Sequence, residues 1–379
     1  MDPVLWLEWI LKAMIMVLIL LTGFAYLTWY ERRALARIQT RVGPNRAGPQ
    51  GLLQPIADAV KLIFKEELTP SAADKILFVA APIMTVVPAM ILAAVIPLGT
   101  QFTLPFTDRV ITLHIANINV GVLYLTAIAS ISVYGIVLAG WASNNKYAML
   151  GGMRSAAQMI SYELALGMCF VVAILLADSM NLIEIVNAQE DMWFAVLQPV
   201  GALVFMVTTL AEVNRAPFDM PEAEQELAAG YHSEYSGMKF ALFFMAEYEK
   251  MIVISMIAAT LYFGGYREFW FLKDTILSAD RTWWLGPIYL LAKVVVLLFF
   301  MIWIRATWPR IRYDRLMAFG WKVLLPLSIA VVVVTAFGIL LAQQLGSVYL
   351  WSIPILSIFA GLVTVFALDQ ALKRRAAHA

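Results

Sequence analysis

The sequence predicts an all-α integral membrane protein, with about nine transmembrane helices and one amphipathic helix on the cytoplasmic side. Three observations carry that expectation. Of the 379 residues 62% are apolar and only 14% are charged, with a mean hydropathy of +0.79, whereas about a quarter of an average soluble domain is charged. The apolar residues fall in long runs free of charge, which a soluble chain of this size has no core to hide and a lipid bilayer accepts. The basic residues gather in alternate connections between those runs, the pattern by which polytopic proteins orient in membranes. Residues 1–379 therefore read as one polytopic membrane domain.

A helix needs about 20 mostly apolar residues to cross the hydrocarbon core. Nine stretches qualify: 5–29, 76–98, 118–141, 157–177, 193–211, 239–262, 286–304, 323–342 and 349–369. The first is too long for the apolar region of a signal peptide and leads into charges, not a small-residue cleavage site, so it reads as a spanning helix. The connection after it places Leu52, Leu53, Ile56, Val60, Ile63 and Phe64 at helical spacing, with Asp58, Lys61 and Lys65 on the other side. That segment is too short to span. It predicts an amphipathic helix lying at the interface or packed on a partner protein. The second span carries Pro82, Pro88 and Pro97, so kinks are expected, with neighbouring helices satisfying the freed carbonyls. The last two spans are separated only by Gln343–Ser347.

Orientation follows from the basic residues. The connections at 30–75, 142–156, 212–239 and 305–322, with the tail from Lys373, hold 20 of the 27. The opposite side holds four, Arg109, Arg267, Lys273 and Arg281, and Lys12, Lys250 and Lys293 fall within spans. This asymmetry puts the N-terminus outside and the C-terminus in the cytoplasm.

Several chemistries are excluded. A net charge of +1 gives no case for nucleic acid as a partner. The single cysteine, Cys169, excludes an internal disulfide, a zinc ribbon and a four-thiolate cluster, and in its apolar run it reads as a packing residue. No GxGxxG, GxxxxGK[ST], HExxH or CxxC occurs, and His114, His232 and His378 are isolated. The chain is thus expected to hold no nucleotide, metal or redox centre of its own.

The chemistry present is ionisable groups where they are expensive. Glu163 lies in the fourth span, Glu212 ends the fifth, and Glu247, Glu249 and Lys250 lie in the sixth. Carboxylates at such depth usually face a watery path or a partner charge. Glu163, Glu212 and Glu247 all fall toward the cytoplasmic half, whereas Glu249 and Lys250 have the simpler reading of a pair. Burial and mutual repulsion would let such acids exchange protons near neutral pH. The segment Ala211–Leu227 interleaves Glu212, Asp219, Glu222, Glu224 and Glu226 with Arg215, apolar residues, Pro217 and Pro221. The prolines forbid a plain helix, and the mixture suits the mouth of a cavity. The run Arg305–Arg315 is basic. It reads first as positive-inside anchoring and second as counter-charge for the acidic segment.

These segments, taken in order, resemble one family. Glu31-Arg32-Arg33, Arg37–Arg46 and Gly48–Asp58, then Gly140–Tyr147, Ser161-Tyr162-Glu163, Glu212–Leu227 with its Asn-Arg-Ala-Pro-Phe-Asp core, and Trp308–Asp314 are similar to the loops of the H-subunit family of respiratory complex I (called subunit 1 in mitochondria). The likeness covers residues 20–325. It implies a membrane subunit of a proton-translocating NADH:quinone oxidoreductase, set where the membrane arm meets the hydrophilic arm. Quinone would be the substrate, with FMN and iron–sulfur clusters in partner subunits. The partners implied are the connecting-arm subunits carrying the terminal cluster and the small and antiporter-like membrane subunits, besides membrane lipid. Carried over by motif, Glu31, Arg32, Asp58, Arg215, Asp219, Glu222, Glu224, Glu226, Arg305 and Arg310 would border the quinone chamber. Glu163, Glu212 and Glu247 would form the acidic path into the membrane arm. Two departures stand out. No carboxylate occurs between Ile115 and Trp141, where the family resemblance leads one to expect an acid in the third span, and the ninth span exceeds the shorter members. The rival readings are the related membrane subunit of an ion-pumping hydrogenase and an independent secondary transporter. The latter would need inverted repeats and a midplane site.

Overall fold

The computed structural model describes residues 3–103, 110–220, 229–269, 273, 278–279 and 282–378. Among them, thirteen α-helices and one two-stranded hairpin appear. The first helix, α1 (Pro3–Ile38), is 36 residues long and overruns the expected span. The charged run Glu31–Arg37 continues the helix, and the first connection begins at Gln39. Helical propensity explains this, since Glu, Arg, Ala and Leu all favour the helix once no bilayer limits it. In the connection, Trp29 Nε1 and Arg33 Nη1 both donate to the Gln50 carbonyl, at 3.2 and 3.1 Å. Gly51 there has φ +78, and a Cβ would stand 2.3 Å from the Pro44 carbonyl oxygen, so only glycine fits. The amphipathic segment forms α2 (Gln54–Ile63) with Ile56, Val60 and Ile63 exposed.

Asp74 caps α3 (Lys75–Leu92) through Ile76 N and Leu77 N. The helix runs on through Pro82 and Pro88, tightens to a 3₁₀ turn at Ala93–Val95 and ends before Pro97. A short antiparallel hairpin, β1 (Gln101–Thr103) with β2 (Val110–Thr112), follows on the far side, Phe102 opposite Ile111. Next come α4 (Gly121–Ala142) and α5 (Lys146–Ala177). Two small helices, α6 (Leu182–Ala188) and α7 (Phe194–Leu197), lead into α8 (Pro199–Glu212). The stretch 193–211 expected as one span is thus broken at Gln198, because Pro199 can only begin a helix. With 14 residues, α8 is about 21 Å long, short of the hydrocarbon thickness.

The remaining helices are α9 (Gly237–Tyr262), α10 (Leu285–Thr307), α11 (Tyr313–Phe319), α12 (Leu325–Leu345) and α13 (Ser352–His378). A π-turn at Gly320–Leu324 joins α11 to α12, so residues expected in the connection 305–322 are helical from Tyr313 on. Six described helices are long and apolar enough to cross a membrane: α1, α3, α4, α5, α10 and the joined α11–α12. The apolar helices Pro199–Glu212 and Ser352–Ala367 are shorter, and α9 carries Glu247, Glu249 and Lys250.

Packing draws the helices into two cores. The larger joins α1, α5, α8, α9 and α10 around Leu20, Tyr162, Phe205 and Tyr262, and the smaller joins α3, α4 and the start of α9 around Phe78, Ile136 and Tyr235. Large apolar residues face outward on α1 and α13, among them Leu7, Met14, Ile355 and Val365. Such faces suit lipid or neighbouring apolar subunits.

Candidate functional site

The site grows from α1, α9, α10 and the turn after α8, whose charged residues meet on one side of the bundle. Glu31, in the extension of α1, is 2% exposed. Arg305 reaches it from the last turn of α10 and forms an ion pair with its Oε1. From the other side, Arg215, just past α8, places Nη2 3.4 Å from Glu31 Oε2 and Nε 2.8 Å from Glu247 Oε1 on α9. The Arg215 guanidinium also lies 4.3 Å from the centre of the Tyr248 ring. One buried arginine therefore binds two carboxylates and an aromatic face, an arrangement that suits a planar, permanently charged fork.

The loop that delivers Arg215 is tied down by its own sequence. Asn214 has φ +56, a conformation asparagine tolerates well. The Gln158 side-chain nitrogen on α5 donates to the Ala211 and Phe218 carbonyls at 2.9 and 2.8 Å. Val213, Phe218 and Met220 are buried in the main core. Arg310 completes the clamp by donating to the Asp219 carbonyl, with Asp219 Oδ2 3.6 Å away. The basic run thus supplies counter-charge to the acidic segment as well as standing at the helix ends. Nearer the surface, Arg32 pairs with Asp58 Oδ2 at 2.6 Å, and Gln54 donates to Asp58 Oδ1 at 3.0 Å, which fastens α2 to α1.

A second set of acids lies deeper. A mainly apolar cavity between α3, α4, α5, α8 and α9 is lined by Glu163, Glu212 and Lys250. It leaves room for only a few water molecules. A smaller one beside it is lined by Thr85, Asn214, Glu247 and Lys250. Ser130 on α4 donates to Glu163, so a hydroxyl faces this acid from the helix where no carboxylate occurs. One oxygen of Glu212 and both of Glu249 are buried without a hydrogen-bond partner among the described residues.

Most of the residues singled out from the sequence therefore meet in two connected groups: Glu31, Arg215, Glu247 and Arg305 with Arg32, Asp58, Asp219 and Arg310 nearby, and Glu163 with Glu212. Glu222, Glu224 and Glu226 lie outside the described residues. The simple pairing of Glu249 with Lys250 does not form. Lys250 instead feels the charges of Glu212, Glu163 and Glu247. Helix geometry is the reason: adjacent residues point apart, while Glu247 and Lys250, three apart, share a face. That spacing was readable in the sequence. Ser130, Gln158 and Tyr248 had no comparable signal, because their roles depend on what packs against them.

With this geometry in view, comparison with known proteins places the chain. The model of the family described as NADH dehydrogenase matches residues 11–336. The chain belongs to the H-subunit family of the NADH-quinone oxidoreductases. It is 48% identical over 331 residues to an H subunit (number 1) of the NADH-quinone oxidoreductase of Geobacter metallireducens, covering 87% of this chain and 96% of the relative. It is 45% identical over 364 residues to the H subunit of Dehalococcoides mccartyi, covering 93% and 94%, and 48% identical over 328 residues to that of Rhodospirillum rubrum, covering 86% and 92%. As a member of this family, the chain is a membrane subunit of an enzyme complex. Among the described residues no group of three or more His, Cys, Asp or Glu stands placed to hold a metal ion.

Proposed function

We propose that this subunit borders the chamber where quinone is reduced and carries the resulting protonation change into the membrane. Electrons would come from a terminal iron–sulfur cluster in a connecting-arm partner, with FMN further upstream in another subunit. Arg305, Glu31, Arg215 and Glu247, flanked by Arg32, Asp58, Asp219, Arg310 and the Glu222, Glu224 and Glu226 segment, would edge the chamber. Glu247, Glu212 and Glu163 would carry the signal or the proton inward.

One observation carries this reading: the ion pairs from Arg305 through Glu31 and Arg215 end at Glu247, which lines the smaller cavity, beside the larger one lined by Glu212 and Glu163. A change of charge at the chamber edge alters what Arg215 must compensate, and the low-dielectric surroundings transmit it to the buried acids. The relatives named as NADH-quinone oxidoreductase subunits favour a quinone-reducing complex over a hydrogenase. The gathering of charge at one end, away from a midplane site, disfavours a free-standing transporter.

The test uses the assembled complex in vesicles. Glu163→Gln, Glu212→Gln and Glu247→Gln keep size and most hydrogen bonding but exchange no proton, so each should assemble and lose coupled turnover. Quinone reduction and proton uptake should fall together, while Asp in place of Glu should cost less. Full pumping by all three Gln variants would leave these acids a packing role and end the reading.

A further inference from the structure

Three basic residues, Lys12, Lys250 and Lys293, lie within the apolar runs read from the sequence as spans, and two of them have partners. Lys12 pairs with Glu8 at 2.7 Å and donates to Thr112 Oγ1 at 3.2 Å. Lys293 donates to the Gly265 and Arg267 carbonyls beyond α9, at 2.8 and 2.6 Å, which is how a long cationic side chain reaches a polar boundary. Lys250 has no such exit. It is 7% exposed and makes no ion pair or hydrogen bond to a described residue. Among the described residues it is the one that lines both cavities: Glu247 lines only the smaller, Glu212 and Glu163 only the larger.

The groups facing it are few. Glu163 comes from α5, Glu212 from α8 and Glu247 from its own helix. The lining of both cavities from α3 and α4 is uncharged, with Thr85, Thr126 and Ser132 its polar members. Glu249, next in sequence, points elsewhere and lines neither cavity. The apolar walls leave little room for a continuous file of water, so the step between the two cavities needs a side chain that can reach both.

We propose that Lys250 hands protons between Glu247 and the Glu212–Glu163 pair. The amine takes the proton of the Glu247 carboxylic acid in the smaller cavity: the O–H bond breaks, an N–H bond forms, and a carboxylate and an ammonium result. The ammonium then gives a proton to the Glu212 carboxylate in the larger cavity, restoring the amine. No electrons move, and the balance is one proton from Glu247 to Glu212. A lysine can do this because its amine can take up and release a proton and its four-carbon stem is flexible, whereas an arginine stays charged. The assignment rests on the acidic path proposed above.

The experiment compares Lys250→Arg, Lys250→Met and Lys250→His in the intact complex in vesicles, with Glu212→Gln alongside and complex yield measured on each sample. Both Arg and Met should lose at least about tenfold of coupled turnover. His exchanges protons with an ordinary value of about 6.5 against about 10.4 for lysine, so it should exceed Met and move the optimum to lower pH. Wild-type turnover in Lys250→Arg would make the lysine a fixed counter-charge and overturn the proposal, as would wild-type turnover in Lys250→Met. If the Arg variant does not assemble, the comparison of His with Met decides: a His variant no better than Met overturns it. Full pumping by Glu212→Gln would bring down the acidic path itself. Loss in Glu212→Gln with normal Lys250→Arg would bring down the lysine assignment alone.

Discussion

Arg215 shows how a single residue can organise a site. It is buried, and its two carboxylate partners, Glu31 and Glu247, come from helices that sit on either side of it. Removing one member of a buried ion-pair set leaves an uncompensated charge, at a cost of about 3–5 kcal/mol, while replacing the whole set by neutral groups costs far less. Arg215→Met should therefore lower the thermal stability of the detergent-solubilised complex sharply. The triple change Arg215→Met, Glu31→Gln and Glu247→Gln should recover much of that loss without recovering activity. Equal melting temperatures in the single and triple variants would mean that the charges are not coupled. Arg215→Lys, keeping charge but not the fork, should fall between. Of this cluster the sequence revealed the charged members but not how they pair. Asn-Arg-Ala-Pro-Phe-Asp marks the segment, yet nothing local says that Arg215 turns toward Glu31, 184 positions earlier.

At the scale of elements, close contact between helices depends on small residues. A Cβ on Gly140 of α4 would lie 2.6 Å from the Ala148 carbonyl oxygen of α5, and one on Gly152 would lie 3.2 Å from the Ile136 carbonyl oxygen. Glycine at these crossings lets backbones approach, which drives association where no hydrophobic effect operates. Gly140→Val should push α4 from α5 and cost about 1–3 kcal/mol. It should be read as a lower melting temperature and less assembled complex, with the surviving complex active. An unchanged melting temperature would show that the crossing is slack. The fastening of α2 to α1 gives a second expectation. Asp58→Asn removes the charge that holds Arg32, an exposed pair of small energetic worth, so assembly should persist. Quinone reduction should change while reduction of an artificial acceptor by the upstream flavin stays intact. Equal loss of both activities would remove α2 from the chamber edge. The elements were legible to the extent that hydropathy reports them. Each of the nine apolar runs falls on helix, but the window stops at the first charge and misses the extension of α1. It also runs through Gln198, where Pro199 restarts the chain.

The length of the helices connects these parts to the whole molecule. At 1.5 Å per residue, α1 measures about 54 Å and α5, with 32 residues, about 48 Å. The hydrocarbon core is about 30 Å thick. Both helices must therefore project, and the charged end of α1 and the start of α5, Lys146–Arg154, stand on the same side as Arg215, Arg305 and α2. This explains why the sequence there looks like a loop: it is helix outside the bilayer, where charge is free and partner subunits can dock. It also ties the chemistry to the orientation, because the projecting side carries most of the basic residues. If the positive-inside bias holds, the proposed chamber edge faces the cytoplasm and the hairpin and Asp191 face outward. The protein offers a clean test, since its single native thiol, Cys169, is buried. Cysteine placed at Gln101 or Asp191 should react with an impermeant maleimide in intact cells. Cysteine at Arg312 or Lys373 should react only after the membrane is opened. The opposite pattern would reverse the molecule, and with it the direction of the proton path proposed through Glu247, Glu212 and Glu163. Labelling of Arg312 and Lys373 from different sides would refute the two crossings expected between them, one by α12 and one by α13. The helix α13 is the element whose passage would then need to be redrawn, because its apolar stretch among the described residues is shorter than a full crossing, whereas the joined α11–α12 is long enough.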